Sequence, residues 1–295
     1  MSLFKRKGSA RERRPAPGAG GPAAARGGSG NDWRTYDAVA ESYARVHAPR
    51  TALPASDLVG FVGVSAGARV LDVGTGTGVV ARAAAAVAGQ EGIVAGVDAS
   101  VAMLRQAKTE GGAAHYAAAA AIDLPFRDEA FGFVLASFVL SHFIRYETAL
   151  FDMLRVLKRG GRFGVSSWGP GEDEFSRAWT EVAERFAARE ILQDARVRAM
   201  PWAEMFSDPN RLKDVLHERG VRDIQIDRRE YRFEMTPDDY LESRETTATG
   251  RFIQQMLGPE RWDVFRQRSR EAFAERFPQR FNDFREVILA VGHKP

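Results

Sequence analysis

At 295 residues and 44% hydrophobic content, the chain can bury one large core or two modest ones. It has no cysteine, which excludes disulfides and thiolate metal sites, and no apolar run approaches the roughly 20 residues of a membrane-spanning helix. The net charge of +3 is unevenly placed: residues 1–30 hold seven lysines and arginines against Glu12 alone, so the remainder is mildly acidic and offers no broad basic surface to nucleic acid.

Residues 1–30 are rich in Gly, Ala and Pro, with Phe4 as their single aromatic. Such a segment cannot bury enough apolar surface to offset its ordering entropy, so it reads as a disordered basic tail before a domain spanning 31–295. It lacks the apolar core of a signal peptide, and with no cysteine in the chain a cytoplasmic location is expected. "DWRTYDAVAESYARVHA" predicts a helix over 32–48, opened by Asp32, with Tyr36, Val39, Ala40 and Tyr43 at helical spacing.

From Arg69 onward short apolar runs alternate with helical patterns. "RVLDVG", "GIVAGVD", "AHYAAAA", "FGFVLASF" and "RFGVSSW" read as strands. Between them "GVVARAAAAVA", "SVAMLRQAKTE" (Ser100 as cap) and "ETALFDMLRVLKRGG", stopped by Gly160-Gly161, read as helices. The alternation predicts an α/β fold, a doubly wound, mostly parallel sheet. "DEFSRAWTEVAERFAARE" is an amphipathic helix; a further helix, a sixth strand, inserted helices and a last strand "REVILAVGHK" complete the chain.

The first strand ends in "DVGTGTG". In a doubly wound sheet the ligand sits at the carboxyl ends of the strands, so this turn passes beneath it, and glycines at 74 and 76 permit close approach and positive φ. Asp98 ends the second strand, where a carboxylate can accept hydrogen bonds from both hydroxyls of a ribose. Gly76-x-Gly78-x-x-Ala81 fits a dinucleotide fingerprint as well as an S-adenosylmethionine loop. At this point the residues specify an adenosine ligand and leave NAD and S-adenosylmethionine both open.

Three further segments resemble one family. "VDASVAMLRQAK", "AIDLPFRDEAFGFV" and "LSHFIRYETALFDMLRVLKRGGRFGVSSW" look, in that order, like segments of class I S-adenosylmethionine-dependent methyltransferases. The likeness is closest to small-molecule, quinone and polyketide methyltransferases with an N-terminal "Y-D-x-x-A-x-x-Y" helix, here Tyr36 to Tyr43. No Tyr-x-x-x-Lys pair or other hydride-transfer constellation supports a dehydrogenase. The alternatives are an NAD-type oxidoreductase and a fold that binds S-adenosylmethionine without turning it over.

The resemblance implies a seven-stranded sheet of order 3-2-1-4-5-7-6, a lid helix at 32–48, and cap helices near 173–206 and 236–278. It implies a cofactor site built from Asp72, Gly74, Thr75, Gly76 and Gly78 in the first turn, with Asp98 and Ala99 for the ribose. Met103 would pack on adenine, the backbone of Ala121 or Ile122 would contact the ring, and Ser137, Tyr36 and Tyr43 would complete the surround. His142 follows strand four as the candidate general base; its alternative role is a loop histidine bonded to a backbone carbonyl. The family's adenine-binding acid would fall at Ala120, so this chain must hold the amine otherwise, for example through Asp123. Trp202, Met205, Tyr240, Phe252 and Met256 are candidates to line an apolar acceptor pocket, the alternative being ordinary packing. The implied partner is a small-molecule acceptor, with nucleic acid disfavoured by the absence of Pro-Pro in "LASFVLSH"; no metal is expected.

Overall fold

The computed structural model describes residues 35–295 except Glu172. The basic tail and Asp32, the expected cap of the lid helix, lie outside the described residues. The lid is not one helix over 32–48: a 3-10 turn, Asp37–Val39, leads into α1, Ala40–Val46, and the chain breaks at His47 before α2, Ala48–Val62. Pro49 explains the break, because a proline ring has no N–H to donate and is tolerated only in the first turn of the new helix. Sequence reading missed α2, although Ala55, Leu58, Val59 and Val62 are buried at helical spacing; the two prolines of "APRTALPASDLVGFV" hide that signal.

Five strands run parallel: β1 Arg69–Val73, β2 Ile93–Asp98, β3 His115–Ala118, β4 Phe131–Ser137 and β5 Leu157–Trp168. β6, Arg222–Met235, and β7, Phe281–His293, add an antiparallel edge, giving the order β3-β2-β1-β4-β5-β7-β6. This is the expected order. α3, Val79–Ala88, and α4, Val101–Thr109, follow β1 and β2, and Ser100 caps α4 by accepting from the Met103 N–H at 3.1 Å. α5, Tyr146–Val156, precedes β5.

Gly160-Gly161 does not stop α5, which ends at Val156; "LKRGG" is already the irregular start of β5. Leu157 pairs with Phe131, the register then shifts, and the Gly160 N–H bonds the Lys294 carbonyl at 2.7 Å. A side chain at Gly161 would press on the carbonyls of Lys158 and Gly132, so glycine serves strand packing at that point.

Residues alternate across β1. Leu71 and Val73 face a cluster with α5 residues Leu150 and Met153, whereas Val70 faces a second cluster with Leu58 and Val62 of α2 and Ala84 of α3. A third cluster forms the cap: α6, Glu174–Ala183; α7, Arg189–Ala199; α10, Pro237–Glu245; and α11, Ala248–Arg276, kinked at Gly258. The short α8, Ala203–Phe206, and α9, Pro209–Glu218, lead from the cap back to the sheet. Among the described residues no helix is long and apolar enough to cross a membrane.

Candidate functional site

The turn after β1 brings two carboxylates to adjoining strand ends. Asp72 is buried, its Oδ2 accepts from the Thr75 hydroxyl at 2.6 Å, and its buried Oδ1 has no hydrogen-bond partner. Burial pushes its pKa up to about 7. Asp98 accepts the Gly76 N–H on Oδ2 and the Ser100 N–H on Oδ1, both at 2.8 Å; burial raises its pKa as well. Each oxygen keeps a further lone pair for a ligand donor.

The glycines divide their work differently from expectation. All three have positive φ, but a side chain at Gly74 would strike Val139, and one at Gly78 would strike the Tyr116 hydroxyl and Arg82. Only Gly76 faces open space. Gly74 and Gly78 are therefore required by protein packing, and Gly76 is the position where the backbone lies bare toward the site.

Above these acids runs a row of rings from three elements. His142, in a 3-10 turn after β4, meets Tyr36 edge-on at 5.9 Å; Tyr36 meets Tyr43 at 5.6 Å; Tyr43 stacks on His47 at 4.6 Å. His47 Nε2 lies 2.7 Å from the Thr246 hydroxyl and 3.1 Å from the Ser243 carbonyl, so the row ends against the cap. Arg251 covers the Tyr36 ring at 4.5 Å. Burial, with Arg251 nearby, lowers the His142 pKa to about 4, opposed in part by the Ala199 backbone. Burial and Arg50 lower His47 to about 3. Both imidazoles are neutral at pH 7. Burial raises the pKa of both tyrosines.

The five candidate acceptor-pocket residues do not converge. Tyr240 is fully buried in the cap core, bonded to Ser176 at 3.0 Å and Asp173 at 3.2 Å, and Phe252 packs on that same core. Trp202 and Met205 pack instead on the sheet-side cluster, with Trp202 edge-on to Tyr146 at 4.9 Å, and Met256 is exposed. Helical spacing marks apolar faces but cannot tell which face meets a core and which meets a cavity.

Residues 71–165 match the family described as Methyltransferase domain. Over 163 residues the chain is 33% identical to the biotin biosynthesis bifunctional protein BioHC of Cellvibrio japonicus, covering 51% of this chain and 32% of that protein. It is 34% identical over 143 residues to the ubiquinone/menaquinone biosynthesis C-methyltransferase UbiE of Ectopseudomonas mendocina, covering 45% and 56% respectively. The chain thus spans a third to about half the length of these curated relatives. Among solved structures, YcgJ of Bacillus subtilis superposes with a TM-score of 0.53 at 20% identity, over 82% of this chain and 98% of that one. Phosphoethanolamine N-methyltransferase 2 of Haemonchus contortus, solved with S-adenosylhomocysteine and phosphomonomethylethanolamine, gives 0.53 at 18% identity, over 89% and 60%. Residues 71–165 thus carry the likeness to a methyltransferase domain, and the sheet is the fold of these solved structures.

The remaining expected residues are placed as follows. Met103 is buried on α4; Ala99 and Ile122 are exposed, and Ala121 is half-buried. The Ser137 hydroxyl lies 2.7 Å from that of Ser166, tying β4 to β5 at their carboxyl ends. Ala120, at the position of the family's acid, heads a tight turn whose carbonyl takes the Asp123 N–H at 3.1 Å, and Asp123 itself is exposed.

The Leu124-Pro125-Phe126 segment is held from below. Asp152 accepts the Leu124 N–H at 2.5 Å, while Arg155 donates to the Leu124 and Phe126 carbonyls at 3.1 and 2.8 Å and to Asp152 at 2.6 Å. Sequence reading missed this clamp, whose signal is an Asp–Arg pair three apart on α5. It also missed Phe138, which has positive φ, donates its N–H to the Ser166 carbonyl at 2.9 Å, and stacks on Trp168 at 4.2 Å. No sequence signal marks a phenylalanine for that conformation.

Proposed function

We propose that the protein transfers a methyl group from S-adenosylmethionine to a small-molecule acceptor. The observation that carries this reading is the two carboxylates Asp72 and Asp98 at adjoining strand ends, with Tyr36 and Tyr43 of the ring row close enough to Asp98 to feel its charge. The fit to the cofactor rests on the unpartnered Asp72 Oδ1, which calls for a cation or donor, and on the bare backbone at Gly76. Asp98 would hold the ribose hydroxyls, Asp72 the cationic amine, and Met103 the adenine ring, with Ala121 and Ile122 offering backbone N–H groups. S-adenosylmethionine supplies an already electrophilic methyl group, so the protein's share is placement and the exclusion of water.

The chain's own residues divide that share. The 3-10 turn and α1 close over the strand ends and bring two tyrosine rings between the acids and the cap. Arg251 and Tyr36 form a flat roof that suits an aromatic or apolar acceptor. As a neutral imidazole, His142 keeps one ring nitrogen as an acceptor. With a pKa of about 4 it is a weak base, better suited to orienting an acceptor hydroxyl or amine than to removing a proton.

The test is incubation of the full chain with S-adenosylmethionine labelled in the methyl group and a panel of small aromatic and apolar metabolites. Label transferred to a panel member, and lost with Asp98→Ala, supports the reading. S-adenosylhomocysteine binding without transfer to any extract component would leave a cofactor-binding protein.

A further inference from the structure

Beyond the aromatic row, lid and cap enclose a group of charges that methyl transfer itself does not use. Asp283 on β7 is fully buried and pairs with Arg50 of α2 and, at 2.9 Å, with Arg285. Arg285 reaches Asp173 at 2.5 Å as well. Both carboxylates are therefore engaged by these two arginines. The side chains of Arg50, Arg285 and Asp173 are 12%, 24% and 14% exposed, so the group is largely withdrawn from water.

Arg244 of α10 is a further guanidinium in the same group. It is near enough to act on the charges of Arg50, His47 and Asp173, and it lies 4.6 Å over the buried Trp179 ring. Its Nε is buried without a partner, as is that of Arg50. Among the described residues no carboxylate or carbonyl accepts from Arg244. The acids flanking it are taken elsewhere, Glu242 by Arg45 and Glu245 by Arg266 at 2.8 Å. Ser243, its neighbour in sequence, is the residue whose carbonyl meets His47.

Arg244 is half-buried, with its Nε shielded from water and left without an acceptor, and stacking on Trp179 fixes its plane so that its edge is left for a planar partner. We propose that Arg244, close enough to Arg50 to act on its charge, binds a carboxylate of the acceptor where lid and cap meet. The aromatic row then holds the acceptor's body between that carboxylate and the strand ends. The anion site stands on the charge arrangement alone; that its occupant is methylated rests on the proposed function. One unpaired cation matches one negative charge, so a monoanionic carboxylate suits the site better than a phosphate dianion.

The experiment is calorimetry on the full chain, with and without saturating S-adenosylhomocysteine, titrated with phenylacetate, its neutral isostere phenylacetamide, and inorganic phosphate. The expected result is phenylacetate binding at least about tenfold tighter than the amide, with phosphate weaker than phenylacetate. Arg244→Gln should bring acid and amide within about twofold, Arg244→Lys should keep part of the preference, and neither should change S-adenosylhomocysteine affinity. Equal binding of acid and amide by the wild type, no carboxylate binding at all, preference for phosphate, or an unchanged preference in Arg244→Gln overturns the site. If Arg244→Gln does not fold, the wild-type comparison and Arg244→Lys decide. Acid preference without S-adenosylhomocysteine binding would remove the methyltransferase reading and leave the anion site; the converse would remove only the anion site.

Discussion

Asp37 Oδ1 accepts from the Ser100 hydroxyl at 2.7 Å and from the Ala102 N–H at 3.2 Å, so the lid's first turn sits on the N-terminus of α4. Ser100 also gives its N–H to Asp98. The first turn and Asp98, the proposed ribose acid, thus share Ser100, and a change in either is felt by the other.

Replacing Asp37 with Ala removes that latch while Ser100 still caps α4. The loss of a capping contact, about 0.5–2 kcal/mol, should appear in lid closure more than in global stability. S-adenosylhomocysteine should dissociate several-fold faster, with the melting temperature nearly unchanged. An unchanged dissociation rate by stopped flow would show that Asp37 does not hold the lid.

Asp72 makes cofactor affinity pH-dependent. Its pKa of about 7 in the free protein means that the carboxylate is increasingly neutral below that pH. A cationic amine binds the ionised form, so S-adenosylhomocysteine affinity should rise from pH 6 toward pH 8, by up to about tenfold per unit below the pKa. Asp72→Asn should bind more weakly and lose the slope. A wild-type affinity flat over this range would place the amine elsewhere.

The sheet order, the five parallel strands and the acids at the ends of β1 and β2 were legible because they rest on local pattern: apolar runs, alternation, and glycines in an acidic turn. The lid row was half legible, since Tyr36 and Tyr43 stand at helical spacing in the sequence, but Tyr36 precedes the 3-10 turn and His47 joins the row through a break that Pro49 creates. The pairing of Arg50 with Asp283 lies 233 residues apart in sequence, and no local pattern encodes it. Between the two readings of the acceptor candidates, local pattern could not choose, for a related reason. Tyr240 and Trp202 both look like pocket linings, yet the topology sends them to different clusters.

His142 should act through position more than basicity. A base matched to working pH contributes about 10²–10⁴-fold, and one with a pKa near 4 falls short of that. His142→Ala should lower kcat by less than about 10²-fold, and His142→Gln, which keeps a polar donor and acceptor at that position, should recover most of it. Loss of 10³-fold or more in both variants would make it the base. Its folded pKa lies below the unfolded value of about 6.5, so the unfolded chain takes up the proton first as pH falls. Stability is therefore lost between about pH 6.5 and pH 4, and His142→Gln should flatten the wild-type slope there by up to about 1.4 kcal/mol per pH unit.

Asp283 is the anchor of the buried charges. Asp283→Ala leaves Arg50 and Arg285 facing each other with one carboxylate fewer, and breaking a buried pair costs about 3–5 kcal/mol. Urea unfolding should show a correspondingly lower midpoint. A shift within about 0.5 kcal/mol would mean that water already reaches the group.

The most direct measurement is a calorimetric titration of the full chain with S-adenosylhomocysteine and, separately, with NAD, for the wild type and Asp98→Ala. The account predicts that S-adenosylhomocysteine binds and NAD does not. It further predicts that Asp98→Ala lowers that affinity at least about tenfold, since each charge-assisted hydrogen bond to the ribose is worth about 1.5–3 kcal/mol. Tight NAD binding with no response to S-adenosylhomocysteine, or an S-adenosylhomocysteine affinity indifferent to Asp98, would contradict it.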